Sequence, residues 1–383
     1  MDFDLNNVRS SLDDDRLSGL PPELILQILT RVDTKLAIQT CLLLNPRWKL
    51  IWTLMPCLNF SSSGFKTLAE FSKFVTHVLT HRNHQVEVSS VNLCLPGEDT
   101  QDFVREIVNY AFSNNVQELI LDIRPKNEFP SNLFRSRTLK HLTFRNCTYA
   151  WVTPKTQWDF PALTTLYLDG ISLCEDEHES VDLFSKCINL QNLTLESVTV
   201  NAKVFEIITP RLSNLRLIHF SGSDGINVIA PQLENLTVID CYLKYLNIPS
   251  GFSSFCYEGL DPPEWYKYFF YSVNKASVSL NVYRPENPYE QEDAHGIINM
   301  LQELHSAKFL TLNLDIVECI SSFPELISTR PSPFSNLTRL NIDSSTRDTW
   351  KLKMSTEAKN FLLGNSPNAT FIMKVLSSVH YFV

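Results

Sequence analysis

From residue 88 onward the apolar positions fall into a short phrase that recurs. Val88-Val91-Leu93, Val116-Leu119-Leu121, Leu139-Leu142-Phe144, Leu163-Leu166-Leu168, Leu190-Leu193-Leu195, Leu212-Leu215-Leu217 and Leu233-Leu236-Val238 all space their apolar residues at i, i+3 and i+5. Their central positions lie 28, 23, 24, 27, 22 and 21 residues apart. Apolar residues two apart with polar residues between them predict a strand buried on one face. One such strand cannot bury that face alone, whereas a stack of them builds a continuous core. Weaker copies follow: Phe252-Phe255-Tyr257, Val278-Leu280-Val282, Phe309-Leu312-Leu314 and Leu337-Leu340-Ile342. The residues beside the last apolar position face away from the core. Arg145, Tyr167, Asp169, Glu196 and Arg216 are therefore candidate binding residues, with Asn313/Asp315 and Asn341/Asp343 in corresponding places. Tyrosine and arginine are residue types enriched at binding hot spots.

Elsewhere the period changes from two to about 3.6. Leu24, Ile25, Ile28, Leu29 and Val32 form a helical stripe that opens at Pro21 or Pro22, where the missing N–H costs nothing. Asp33 or Thr34 can cap a second helix to about Leu44, and Asn45, followed by Pro46, a third to about Met55. Phe65, Leu68, Phe71, Phe74, Val75, Val78 and Leu79 predict a connecting helix. Phe103, Val104, Ile107, Val108 and Ala111 share a face between two repeat strands, and such helices are expected to form the outer layer of the stack. Near the end, Thr356–Leu363 reads as a short helix stopped by Gly364, and Ala369–Val375 as a strand that caps the last repeat.

Composition narrows the classes of function. The chain has 383 residues, is 44% hydrophobic and 20% charged, and carries a formal net charge of −9. With no dense Lys/Arg block, a nucleic acid or an anionic membrane has no electrostatic footprint here. No apolar run reaches the length of a membrane span, and the acidic start, Met1-Asp2-Phe3-Asp4, does not read as a secretory signal. The nine cysteines are scattered and form no C-x-x-C, which reads as reduced thiols in cytoplasm or nucleus. His77 and His81 share a helix face near His84, but no glutamate or cysteine pair completes a zinc set, so no metal is expected. Glu175/Glu177 and Glu290/Glu292 fall in segments read as loops, 172–180 and 285–295, and count as solvated rather than acid–base pairs. No nucleotide-binding loop or nucleophile elbow is present. Neither an enzyme nor a cofactor is expected.

Leu20-Pro21-Pro22-Glu23-Leu24-Ile25-Leu26-Gln27-Ile28-Leu29, followed by Arg47-Trp48, resembles an F-box, with its Leu-Pro opening, its Ile-Leu helix and its closing Arg-Trp. Together with repeats of leucine-rich-repeat period, the chain resembles the plant group that joins an F-box to irregular leucine-rich repeats. Where that group usually reads Ser-Lys before Arg-Trp, this chain has Asn45-Pro46, which keeps a helix start and removes a cation. The resemblance implies an α/β fold: an N-terminal three-helix F-box followed by a leucine-rich-repeat solenoid, a parallel-strand horseshoe with convex helices. The expected domains are a lead-in over 1–15, the F-box over 16–60, a connecting helix over 61–85, the solenoid over 86–350 and a cap over 351–383. It further implies a non-catalytic substrate-recognition subunit of a ubiquitin ligase. Leu20, Pro21, Leu24, Ile25, Ile28, Leu29 and Trp48 would form the docking helices for a Skp-type adaptor and, through it, a cullin. The repeats would bind a protein substrate. A repeat scaffold without a ligase role is the alternative, and an adaptor that co-purifies would discriminate between them.

Overall fold

The computed structural model describes residues 19–43, 48–95, 101–124, 134–145, 150–152, 158–249, 251–262, 272–281, 289–344 and 354–375. Asn45, Pro46 and Cys147 lie outside them. The chain divides into two compact units, 1–150 and 151–383.

The first unit begins with α1 (Pro22–Leu29) and α2 (Thr34–Leu43). Pro22 occupies the first turn of α1, as its fixed φ favours. Asp33 caps α2: its carboxylate accepts the N–H of Lys35 at 2.8 Å and of Leu36 at 3.4 Å. Instead of a regular third helix, the described part of that segment makes a 3-10 turn over Ile51–Leu54, with Trp48, Ile51 and Trp52 buried. Four parallel strands follow in sheet order, β1 (Cys57–Ser61), β2 (Ser90–Leu95), β3 (Glu118–Ile123) and β4 (His141–Arg145). Two helices are interleaved with them, α3 (Leu68–His81) and α4 (Gln101–Ser113). Phe71, Val75 and Val78 on α3 and Val104, Ile107, Val108 and Ala111 on α4 are buried, the faces their periodicity predicts.

Side chains tie the helical start to the sheet. Asp33 also accepts the N–H of Ser61 at 3.1 Å, Thr34 accepts that of Asn59 at 2.8 Å, and the Asn59 amide donates to the carbonyls of Thr30 and Val32. The buried Arg82 donates to the carbonyls of Met55 and Val86 and to the Tyr110 hydroxyl, so one guanidinium joins the end of α3, the turn before β1 and α4.

A short strand, β5 (Ala150–Val152), stands at the boundary of the two units. The second unit holds β6 (Thr165–Asp169), β7 (Ile171–Asp182), β8 (Asn192–Glu196), β9 (Thr199–Ile208), β10 (Asn214–Ile218), β11 (Ser221–Ile229), β12 (Asn235–Ile239), β13 (Tyr245–Asn247), β14 (Ser254–Gly259) and β15 (Lys275–Leu280). Beyond these come α5 (Gln291–Glu303), β16 (Phe309–Asn313), α6 (Leu314–Ser322), α7 (Pro324–Ser328), β17 (Arg339–Ser344), α8 (Thr356–Leu363) and β18 (Thr370–Val375). Within this unit the parallel order is β6-β8-β10-β12-β14-β15-β16-β17-β18.

The segments returning between repeats overturn one expectation. From 171 to 247 they are strands rather than helices, and β7, β9, β11 and β13 pair as a second parallel sheet. Among the described residues of this unit, helices begin at α5. The reason lies in alternation: Thr199–Ile208 buries Val200, Ala202, Phe205 and Ile207 in a mostly two-residue rhythm that no helix could satisfy. Glu175 and Glu177 thus belong to β7, in the stretch between Leu173 and His178 where its register against β9 shifts. Glu290 is likewise the N-cap of α5 in a capping box with Asp293, not a loop residue. Trp158, Phe184, Phe205 and Phe220, all fully buried, form a file of rings with successive centroids 5.5, 6.0 and 5.9 Å apart.

Two of the weaker repeats are shifted in register. Tyr257 pairs with Val278, and Val278 with Leu312. The rungs are therefore Val273-Ala276-Val278 and Ala307-Leu310-Leu312, all buried, while Phe309 is exposed. Asp315 belongs to α6, so it is not an open-face partner of Asn313.

Candidate functional sites

Two surfaces carry the candidate residues. On the first, α1 and α2 divide their apolar residues between interior and solvent. Ile25, Leu29 and Trp48 are buried and support the helices from within. Leu24 and Ile28 are 45% and 44% exposed, Pro21 is exposed, and Leu20 is half-buried. Leu36, Leu42, Leu43 and Leu50 are also exposed, Leu43 by 88%. Single exposed leucines are ordinary, but six large apolar side chains on two consecutive helices and the turn after them form the pattern of an interaction surface. Those last four leucines were missed because a helical stripe reports which face is apolar, and α2 is apolar on several faces. The signal available was the unbroken apolar run Cys41-Leu42-Leu43-Leu44.

The second surface is the open face of the long sheet in the second unit. Parallel pairing sets Tyr167, Thr194, Arg216, Thr237, Cys256 and Ser277 side by side in one row. Asp169, Glu196, Ile218, Ile239 and Glu258 form the next row. The Tyr167 hydroxyl donates to the Glu196 carboxylate at 2.6 Å, so that tyrosine is held upright rather than free to sweep. Burial raises the Cys256 thiol, Glu258 adds to the rise and Arg216 opposes it, which leaves it a neutral member of the row. The structure thus brings Tyr167, Asp169, Glu196 and Arg216 onto one face. Arg145 ends β4 of the first unit and is exposed there.

A third row went unread in the sequence. Asn192 donates to the Thr165 hydroxyl at 3.4 Å, Asn214 to Asn192 at 2.7 Å and Asn235 to Asn214 at 2.6 Å. The signal was the asparagine directly before the middle leucine in three successive repeats. Such amide ladders fix register along the sheet.

His77 and His81 stack at 4.0 Å on α3, with His81 Nδ1 2.9 Å from the His77 carbonyl oxygen. Among the described residues, no group of three or more His, Cys, Asp or Glu side chains is placed to hold a metal ion. Among the same residues, no helix is long and apolar enough to cross a membrane.

Several known proteins are similar to this chain. Residues 104–248 match the family described as FBD-associated F-box protein At5g56370, LRR repeats. An F-box/FBD/LRR-repeat protein of Arabidopsis thaliana is 32% identical over 265 residues, 65% of this chain and 53% of the relative. A second from the same plant is 31% identical over 219 residues, 55% and 48%. A third is 27% identical over 373 residues, 92% of this chain and 74% of the relative. These matches support a plant F-box/leucine-rich-repeat protein. The chain spans about half the length of the first two of these relatives. The F-box/leucine-rich-repeat names fit the two surfaces, one helical and apolar, the other a polar face of stacked strands.

Proposed function

We propose that this chain is a non-catalytic substrate-recognition subunit of an SCF-type ubiquitin ligase, acting in the cytoplasm or nucleus. The F-box, taken as residues 16–60, docks a Skp-type adaptor and through it a cullin. The segment over 61–85 connects it to a repeat region over 86–350 with a cap over 351–383, and that region holds a protein substrate. Arg145, Tyr167, Asp169, Glu196 and Arg216 are its proposed contacts. The chain's contribution to catalysis is proximity: it holds the acceptor near a ubiquitin carried by other subunits.

One observation carries this reading. Leu24, Ile28, Leu36, Leu42, Leu43 and Leu50 stand exposed on the very segment that resembles an F-box, while Ile25, Leu29 and Trp48 build the interior beneath them. Co-expression with a plant Skp-type adaptor tests it. The wild-type chain should co-purify with the adaptor at one-to-one stoichiometry. Leu24→Asp combined with Ile28→Asp should weaken capture by about tenfold or more, because each places a carboxylate in a desolvated interface. Its thermal transition should stay within a few degrees of wild type, since both side chains already face solvent. A folded double variant that captures adaptor normally would refute the docking face. Failure of the wild-type chain to capture any adaptor would refute the ligase reading.

A further inference from the structure

One row of the open face changes character along the second unit. Parallel pairing carries it from the asparagines of β8, β10 and β12 through Ser254 to Lys275, Phe309 and Arg339. The residues that follow these last three, Ala276, Leu310 and Leu340, are buried. Lys275, Phe309 and Arg339 therefore point to the opposite, open side. All three are exposed, Phe309 by 43%. Neighbouring strands lie about 4.8 Å apart, so the two cations flank Phe309 at a mutual backbone distance of roughly 10 Å.

The charge of this row is unmet and its backbone is fixed. Neither Lys275 nor Arg339 forms an ion pair among the described residues, and neither does Lys308, exposed directly before Phe309. On the open face of β14 to β17 the carboxylates are Glu258 and Asp343. Each lies four residues beyond the row, about 13 Å along its strand. That exceeds the roughly 8 Å over which physiological salt screens exposed charges. In a chain of net charge −9 the row is a local reversal of sign. Its strand starts are tied by shared acceptors. The N–H groups of Asn274 and Lys275 donate to the Ser253 carbonyl, those of Lys308 and Phe309 to the Asn274 carbonyl, and those of Thr338 and Arg339 to the Lys308 carbonyl, all at 2.8 to 3.1 Å. A lone exposed phenylalanine is ordinary. One held between two unpaired cations in a fixed row offers an apolar contact together with charge that selects what lies beside it.

We propose that Lys275, Phe309 and Arg339 bind an extended acidic segment of a partner protein. An apolar side chain of the segment lies against Phe309, and a carboxylate on each side of it meets Lys275 and Arg339. Residues two apart share a face in an extended chain, so the pattern selected is acidic–x–apolar–x–acidic. This rests on the recognition role proposed above, adds contacts on β15 to β17 and names the class of segment they take.

Fluorescence anisotropy with the full chain tests it. Labelled, capped nonapeptides carry a central Phe with Glu, Gln or Lys two residues to either side, and a fourth carries the Glu pair around a central Ala. The Glu/Phe peptide should bind about tenfold more tightly than the Gln/Phe peptide, with Lys/Phe weaker still, and the advantage should shrink as salt rises. Lys275→Gln combined with Arg339→Gln should abolish the preference for Glu over Gln. Both side chains are exposed, so the melting temperature of this variant should stay near wild type. Phe309→Ala should remove the advantage of the central Phe over Ala. No binding of the Glu/Phe peptide, equal affinity for the Glu and Gln peptides, a charge variant that keeps the preference, or a Phe309→Ala chain that still favours the central Phe overturns the proposal. Adaptor capture is a separate readout. Capture without peptide preference refutes this site alone, and peptide preference without capture refutes the ligase role alone.

Discussion

At the scale of single residues, a repeat strand has two sides one bond apart. Leu193 is buried against the neighbouring rungs, while Thr194 stands on the open face. Leu193→Ala removes buried methyl groups and leaves a cavity, a loss of about 2–5 kcal/mol. Thr194→Ala should cost less than about 0.5 kcal/mol, as surface changes usually do. Chemical denaturation of the two variants checks the pair, and equal costs would mean that the inside and outside were assigned the wrong way round. Ile25 and Ile28 show the same division on a helix: three residues apart, one is buried beneath α1 and the other is exposed. Alternation alone made the strand sides legible. For the helix, periodicity named the apolar positions but not which of them another element would cover.

At the scale of the element, four successive repeats of the second unit turn a corner of similar geometry. Gly170, Ser197, His219 and Asp240 each follow a strand end directly and have φ of 73°, 51°, 50° and 46°. Each donates its N–H to a carbonyl at or one residue before the end of the neighbouring strand in the long sheet, at 2.8 to 3.0 Å. That bond starts the crossing from one sheet to the other, and it requires a left-handed residue. Only the first of the four is glycine, so Ser197 and His219 accept a conformation that disfavours them. Gly170→Ala should therefore destabilise the second unit by about 1–2 kcal/mol, read as a lower urea midpoint with an unchanged slope. No loss would show that the corner relaxes at no cost. Turn chemistry of this kind was not legible beforehand, because serine and histidine give no sign of positive φ. The corner emerges from the hydrogen bond it completes with a strand some 20 residues away. The second sheet escaped for a related reason: β7 is rich in Glu, Asp and Ser, and its composition does not announce the strand that pairing in the sheet makes of it.

At the scale of the whole molecule, the buried interior of the second unit includes thiols. Burial pushes Cys187 and Cys319 up to about 12 and Cys241 to about 11, from an ordinary 9.0. A thiol whose folded value is raised favours the folded state below the unfolded value and forfeits that advantage as pH climbs toward the folded one. The chain should therefore lose thermal stability steadily between about pH 9 and about pH 12, apart from any change at other groups. Cys187→Ala should flatten that slope while lowering stability at neutral pH. A melting series across this range checks both, and a wild-type slope no steeper than the variant's would refute the assignment. What the sequence by itself determined is what local pattern can encode: seven regular rungs, the helices α1, α3, α4 and α8, and the closing strand β18. Each follows from the spacing of apolar residues within a dozen positions. The tertiary structure alone decided the second sheet and the register of the two irregular rungs. Each of these depends on which segments lie side by side, and that is set by packing and main-chain pairing between residues 20 or more positions apart.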